Sequence, residues 1–174
     1  FLKDIFDFYL AIILFLFFFP LMIFIFLVLY ILIGSPIYTQ KRPGYLNESF
    51  IIFKFKTLID KDCKNFKKNK NTFKFGTFLR KTGIDEIPQL VNILKGEMSF
   101  IGPRPLLKEY LPLYTKKQLL RHNVLPGLSG WAQINGRNAI SWEEKFNKDI
   151  WYVNNMNFIL DLKIIFLTIW KVIK

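Results

Sequence analysis

The run FYLAIILFLFFFPLMIFIFLVLYILIG, residues 8 to 34, holds no charged side chain and decides how the rest of the chain is read. It is too long for a signal-peptide core, and no small-residue cleavage site follows it. It reads as a retained membrane helix. A straight helix from Phe8 to Ile33 would be ~39 Å long, against a hydrocarbon core of ~30 Å. Tilt, protrusion or a break must absorb the excess. Pro20 lies near the middle, where it denies a hydrogen bond to the Leu16 carbonyl and crowds it, so a kink is expected there. One reading is a kinked helix that spans the bilayer. The other is a pair of arms of ~18–20 Å that dip in and return to the same face. General physics favours spanning, because re-entrant segments are usually sheltered by protein.

Outward from this run the chemistry changes. The chain has 174 residues, 52% of them hydrophobic, with 20 phenylalanines and a net charge of +12. Lys3, Asp4 and Asp7 give −1 to residues 1–40, which leaves +13 for Lys41 to Lys174. So basic a region seeks phosphates, anionic headgroups or nucleic acid, and by the positive-inside rule it lies on the cytoplasmic side. One cysteine, Cys63, excludes a disulfide framework and a cysteine metal site, and reads as a surface residue.

Residues 35–40 and 50–56 read as short strands, with Lys41-Arg42-Pro43-Gly44 as the turn between them. Asp60 to Lys70 is a polar, lysine-dense loop. A short helix is expected from Phe73 to Lys81, closed by Gly83. Another is expected around Pro88, with Ile87, Leu90, Val91 and Leu94 on one face and Gly96 ending it. A helix from Leu106 to His122, bent near Pro112, precedes a glycine-containing loop from Pro126 to Asn138. Ser141 and Glu144 form the capping box of a helix reaching Asn154. In the last segment, Asn157, Asp161, Thr168 and Lys171 make a polar stripe only ~80° wide. The broad apolar remainder suits a helix lying in a membrane interface, or one packed into the protein core.

Asp85 and Glu86 fall at a helix N-terminus, where the helix dipole and free N–H groups favour carboxylate anions. Such a pair suits a nucleophile or a ligand for Mg²⁺, a hard cation that prefers oxygen. Arg80 lies upstream, Arg104 sits between two prolines, and Arg137 falls in the Asn135-Gly136-Arg137-Asn138 turn. Guanidinium groups on stiff loops make bidentate phosphate clamps. Lys54 and Lys56 alternate with Phe53 and Phe55 and so point to one side of a strand. His122, the single histidine, has no metal-ligand partners and reads as structural. Walker loops, dinucleotide fingerprints and nucleophile elbows are absent from the sequence.

Taken together, several motifs resemble the bacterial sugar transferase family, the monotopic polyprenyl-phosphate phosphoglycosyl transferases. They are Phe53-Lys54-Phe55-Lys56-Thr57, Asp85-Glu86-Ile87-Pro88-Gln89-Leu90, Asn92 through Ser99, Gly102-Pro103-Arg104-Pro105 and Pro126 through Gln133. Through Asn135 to Trp142 the chain is similar to members that transfer diacetylbacillosamine 1-phosphate at the start of protein N-glycosylation. The resemblance implies a mixed α/β, mostly helical fold. Residues 1–36 would be a re-entrant membrane helix broken at Pro20, and 37–174 a cytoplasmic catalytic domain with a small sheet and amphipathic interfacial helices. Where the family has Ser-Pro at the break, this chain has Phe19-Pro20.

The implied reaction moves a phosphosugar from a UDP-sugar to polyprenyl (undecaprenyl) phosphate and releases UMP, as the first membrane step of glycoconjugate synthesis, in protein glycosylation or lipopolysaccharide. Asp85 would be the nucleophile, and Asp85 and Glu86 would hold Mg²⁺. Lys56, Arg80, Arg104 and Arg137 would bind substrate phosphate. The implied partners are UDP-sugar, polyprenyl phosphate and lipids of the bacterial inner membrane, with no nucleic acid. A basic binding module leaves the acidic Asp85-Glu86 pair unexplained, and a lipid-diphosphate phosphatase would not depend on the polyprenyl phosphate acceptor.

Overall fold

The computed structural model describes residues 2–58, 73–136 and 139–173. Helix α1, Leu2–Ile33, is one uninterrupted run that contains Pro20. The expected break at Pro20 is therefore not an end to the helix. A proline removes a single backbone donor, and the turns on either side keep theirs. Only a narrow face of α1 is buried, with Asp7, Ala11, Ile25 and Leu29 on it. The remaining apolar surface is bare, with Phe17 74% and Ile31 80% exposed. A helix of this length measures ~48 Å, yet both ends rest on the same body of protein. Near the start, Lys3 Nζ donates to Asp161 Oδ2 at 2.6 Å and to the Ile101 carbonyl at 3.0 Å. Near the far end, Ile25 and Leu29 pack in a cluster with Phe55, Phe73 and Leu79.

Strands β1, Ile37–Pro43, and β2, Ser49–Phe55, pair antiparallel from Ile37↔Phe55 to Pro43↔Ser49. The turn lies later than the sequence suggested. Lys41 to Pro43 remain in the ladder, and Gly44 to Glu48 reverse the chain, with Leu46 and Asn47 at φ 49° and 66°. The ladder tolerates Pro43 because proline can close the end of an edge strand. Cys63 and the Asp60–Lys70 stretch lie outside the described residues.

Helix α2, Lys74–Thr82, ends at Gly83, whose φ of 74° is the left-handed turn that glycine adopts without strain. A 3₁₀ turn, Ile84–Gln89, leads into the short α3, Leu90–Leu94. The buried Asn92 ties α3 to β2: Phe53 N–H donates to Asn92 Oδ1 at 3.2 Å, and Asn92 Nδ2 donates to the Ile51 carbonyl at 2.7 Å.

Strand β3, Ser99–Ile101, follows, and from there two expectations change. The single helix over Leu106–His122 is instead a 3₁₀ turn, Lys108–Leu113, then α4, Lys116–Leu119, and a second 3₁₀ turn, Leu120–Asn123. Thr115 takes an extended conformation and forms a new capping box with Gln118, which restarts the helix after Pro112. Nor is Pro126–Asn138 a plain loop. It supplies β4, Gly127–Ser129, parallel to β3, and α5, Trp131–Ile134. Glycine makes this pairing feasible, because a Cβ on Gly127 would lie 2.0 Å from the Gly102 nitrogen.

Helix α6, Trp142–Asn155, starts at the expected box: Glu144 N–H donates to Ser141 Oγ at 3.2 Å, and Ser141 N–H to Glu144 Oε2 at 3.0 Å. The last helix, α7, Phe158–Ile173, turns Asp161 and Thr168 of its polar stripe toward the protein, while Asn157 lies exposed just before its start. Asp161 is buried and accepts from Tyr152 Oη at 2.6 Å, Thr168 Oγ1 lies 2.7 Å from Ser129 Oγ, and Lys171 bonds the Ile134 carbonyl. Ile159, Phe166 and Trp170 point outward, 78%, 68% and 59% exposed. Ile164 is fully buried, so one face of α7 packs into the protein while another leaves an apolar surface bare.

Candidate functional site

The site is assembled where the α2–α3 corner meets β2 and the Gly102-Pro103-Arg104-Pro105 stretch. Gly83 turns the chain so that Asp85 and Glu86 occupy the first turn of the 3₁₀ segment. Lys54 projects from β2 and donates to Glu86 Oε1 at 2.6 Å, while Arg104 reaches the same oxygen at 2.5 Å. Burial raises the Glu86 carboxyl, but the cations of Arg104 and Lys54 overcome it and hold the pKa at about 2. Glu86 is therefore an anion at any physiological pH.

Asp85 is placed differently. It is 9% exposed and makes no ion pair among the described residues, its carboxyl accepting instead from its own backbone N–H. Burial raises its pKa and the adjacent Glu86 charge adds to that, while Lys54 and Arg80 pull it back only in part. The two neighbouring carboxylates thus divide the work. Glu86 collects the cations, and Asp85 pairs directly with none of them among the described residues.

Arg104 is itself held from behind. Arg121, 3% exposed, donates from Nη2 to Asp149 Oδ2 at 2.7 Å and to the Arg104 carbonyl at 2.8 Å. This buried pair fastens the Arg104 loop to α6. His122 next door donates from Nδ1 to the Gly44 carbonyl at 3.2 Å. Burial, then the Arg121 charge, lowers its pKa to about 4, so it is neutral and structural as expected.

Glu86 and Arg104 line a cavity of about 660 Å³ that opens between α1 and α7, with Leu14, Phe18, Ile165 and Ile169 among its walls. Polar side chains, among them Glu86, Arg104, Gln133 and Lys171, share this lining with hydrocarbon ones.

Of the residues picked from sequence, Asp85, Glu86 and Arg104 come together. Arg80 lies exposed in the last turn of α2, within electrostatic reach of Asp85. Lys56, one residue past the end of β2, donates to Ser35 Oγ at 3.0 Å, so it is Lys54 that serves Glu86. Arg137 lies outside the described residues, and Pro20 sits within α1, away from the carboxylates in sequence and exposed. Arg121 and Asp149 were not singled out, because each finds its partner far away in sequence, and Gln133 figured only as the end of the Pro126–Gln133 motif.

The family model described as bacterial sugar transferase matches residues 1–174, the whole chain. The chain belongs to the bacterial sugar transferase family. Among its bacterial sugar transferase relatives is the uncharacterized sugar transferase EpsL of Bacillus subtilis, 55% identical over 145 residues, covering 81% of this chain and 72% of EpsL. The exopolysaccharide production protein ExoY of Rhizobium meliloti is 35% identical over 156 residues, 78% of this chain and 69% of ExoY. The UDP-glucose:undecaprenyl-phosphate glucose-1-phosphate transferase of Klebsiella pneumoniae is 40% identical over 151 residues, 79% of this chain but only 32% of that protein. This sugar transferase chain thus spans most of some relatives and about a third of others.

Proposed function

We propose that this chain transfers a phosphosugar from a UDP-sugar to undecaprenyl phosphate, with Asp85 as the nucleophile. One observation carries the reading. A buried carboxylate, without an ion pair among the described residues, adjoins a second carboxylate that gathers Lys54 and Arg104 and lines the cavity between α1 and α7. Phosphoryl transfer needs an in-line nucleophile and nearby positive charge more than it needs covalent machinery. An Asp85 oxygen attacks the β-phosphorus, the bond from that phosphorus to the bridging oxygen breaks, and UMP departs with that oxygen. A phosphate oxygen of undecaprenyl phosphate then attacks the phosphosugar, releasing Asp85 and forming the lipid diphosphate-sugar. Lys54 and Arg104, oriented by Glu86, offset charge on the phosphates, and Arg80 adds positive charge that reaches Asp85.

Mg²⁺ fits this donor set in one respect. No cluster of three or more acidic, histidine or cysteine side chains exists among the described residues, and Mg²⁺ is ordinarily held by one or two carboxylates plus substrate phosphates. When bound it would supply further charge neutralisation, with Asp85 as the protein ligand. Glu86, already paired to two cations, suits the part of organiser better than that of ligand or base.

The expected setting is the inner membrane, with residues 37–174 on the cytoplasmic face. The contacts of both ends of α1 with one body of protein support a re-entrant arrangement over a spanning one. The bare apolar faces of α1 and α7 would then lie against lipid.

The test is UMP release by detergent-solubilised protein with Mg²⁺ and undecaprenyl phosphate. The panel takes UDP-glucose and UDP-galactose from the substrates named for relatives, and UDP-diacetylbacillosamine from the likeness through Asn135–Trp142. Lipid-dependent release, abolished in Asp85→Asn, is expected. Full activity in Asp85→Asn would remove it as nucleophile, and release independent of lipid would favour a phosphatase.

A further inference from the structure

The polar side chains that line the cavity are satisfied within the protein, with one exception. Glu86 and Arg104 bind each other, Ser129 and Thr168 share a hydrogen bond, Thr82 donates to the Phe78 carbonyl, and Lys171 donates to that of Ile134. Gln133 also lines the cavity, from α5. Both of its amide atoms, Oε1 and Nε2, are buried, and neither has a hydrogen-bond partner among the described residues. A buried primary amide left this way is costly, and native proteins rarely keep one without use. The backbone makes room for it: a Cβ on Gly130 would lie 2.7 Å from Gln133 Oε1.

We infer that Gln133 reads the nucleotide-sugar, an inference that rests on the proposed transferase reaction. A carboxamide presents one donor and one acceptor side by side. Its complement is a neutral edge that also carries both. Lipid hydrocarbon offers neither, and an ionised phosphate offers acceptors alone, so neither half of undecaprenyl phosphate can satisfy Oε1. Two parts of a UDP-sugar can: the imide edge of uracil and the hydroxyl or acetamido groups of the sugar. Gln133 is thus a specificity residue in the same cavity as Glu86 and Arg104, and it acts by hydrogen bonding rather than charge.

The test uses the full chain in detergent, comparing wild type with Gln133→Met, which keeps the length and removes both polar atoms, and with Gln133→Glu, which removes the donor. Unfolding midpoints are measured without ligand, with UMP and with UDP-glucose, and steady-state rates are taken with UDP-glucose and UDP-galactose. Gln133→Met is expected to unfold at or above the wild-type midpoint when unliganded, because an unpaired amide has gone. Its kcat/KM for the preferred UDP-sugar should fall about ten- to a hundredfold, mostly through KM, while KM for undecaprenyl phosphate holds.

If uracil is the group read, the stabilisation by UMP is lost and the UDP-glucose to UDP-galactose preference is kept. If the sugar is read, the UMP effect survives and the preference changes. Wild-type ligand stabilisation and KM in both variants would overturn the inference. So would a lower unliganded midpoint with unchanged affinity, which would mark the amide as structural. Wild-type protein that binds UDP-glucose but never releases UMP would defeat the proposed reaction, while the binding comparison would still decide Gln133.

Discussion

Replacing Glu86 with glutamine should uncover how much of the fold is held by charge at the site. The Glu86 carboxyl titrates near 2 rather than 4.5 because Arg104 and Lys54 outweigh its burial. At ~1.4 kcal/mol per pKa unit, the ionised form contributes about 3 kcal/mol to stability at neutral pH. The direction follows from linkage. A carboxyl depressed in the folded state stabilises it above the unfolded pKa, and that contribution disappears as pH falls through the window from about 4.5 to about 2. At pH 3 the same relation leaves a little under half of that. Denaturant unfolding in detergent, wild type against Glu86→Gln, should therefore show a gap of about 3 kcal/mol at pH 7 that shrinks to about half by pH 3. The Glu86 side chain is only 20% exposed, so added salt should narrow the gap little. A gap that is absent at pH 7, or equal at both pH values, would refute the ion-pair account.

Other expectations can be checked alongside it. Arg121→Met should cost about 3–5 kcal/mol, since it strands the buried Asp149 carboxylate; Arg121→Met with Asp149→Leu should recover much of that in a double-mutant unfolding cycle. Gly127→Ala should be among the most damaging small substitutions, losing more than about 3 kcal/mol or failing to fold, because its Cβ would meet the Gly102 nitrogen at 2.0 Å. Ile159→Lys and Phe166→Lys, on the outward face of α7, should leave helix content unchanged by circular dichroism yet weaken flotation with liposomes. His122, whose pKa lies below the ordinary 6.5, favours folding above pH 6.5 and loses that effect as pH falls toward 4, so His122→Asn should flatten the stability profile in that range.

What could be read from sequence was whatever depends on near neighbours. Ser141 and Glu144 are three residues apart and cap each other, Gly83 ends α2 through its own backbone, and the β1–β2 hairpin joins adjacent strands. The Asp85-Glu86 pair stood out because acids are scarce in so basic a region. The β3–β4 pair did not, since two three-residue strands meet across the whole Leu106–His122 stretch and their contact depends on two glycines. Lys54 and Lys56 were indistinguishable by alternation; the strand ends at Phe55, which sends Lys56 to Ser35. Arg121 finds Asp149 across 28 residues, and Lys3 finds Asp161 across 158. No periodicity reports such pairings.

The inward-facing Asp161 and Thr168 of α7 change what counts as the inside of this protein. In a water-soluble domain the last helix closes the core by turning its greasy side down, whereas here Ile159, Phe166 and Trp170 are left for something else to cover. In the proposed membrane setting, acyl chains would be the outermost structural layer, and their supply would become a folding condition. Stripping lipid or diluting detergent below its micellar threshold should then resemble deletion of a core element, with loss of cooperativity as well as of solubility. Any comparison of variants therefore has to fix the amphiphile as strictly as it fixes pH.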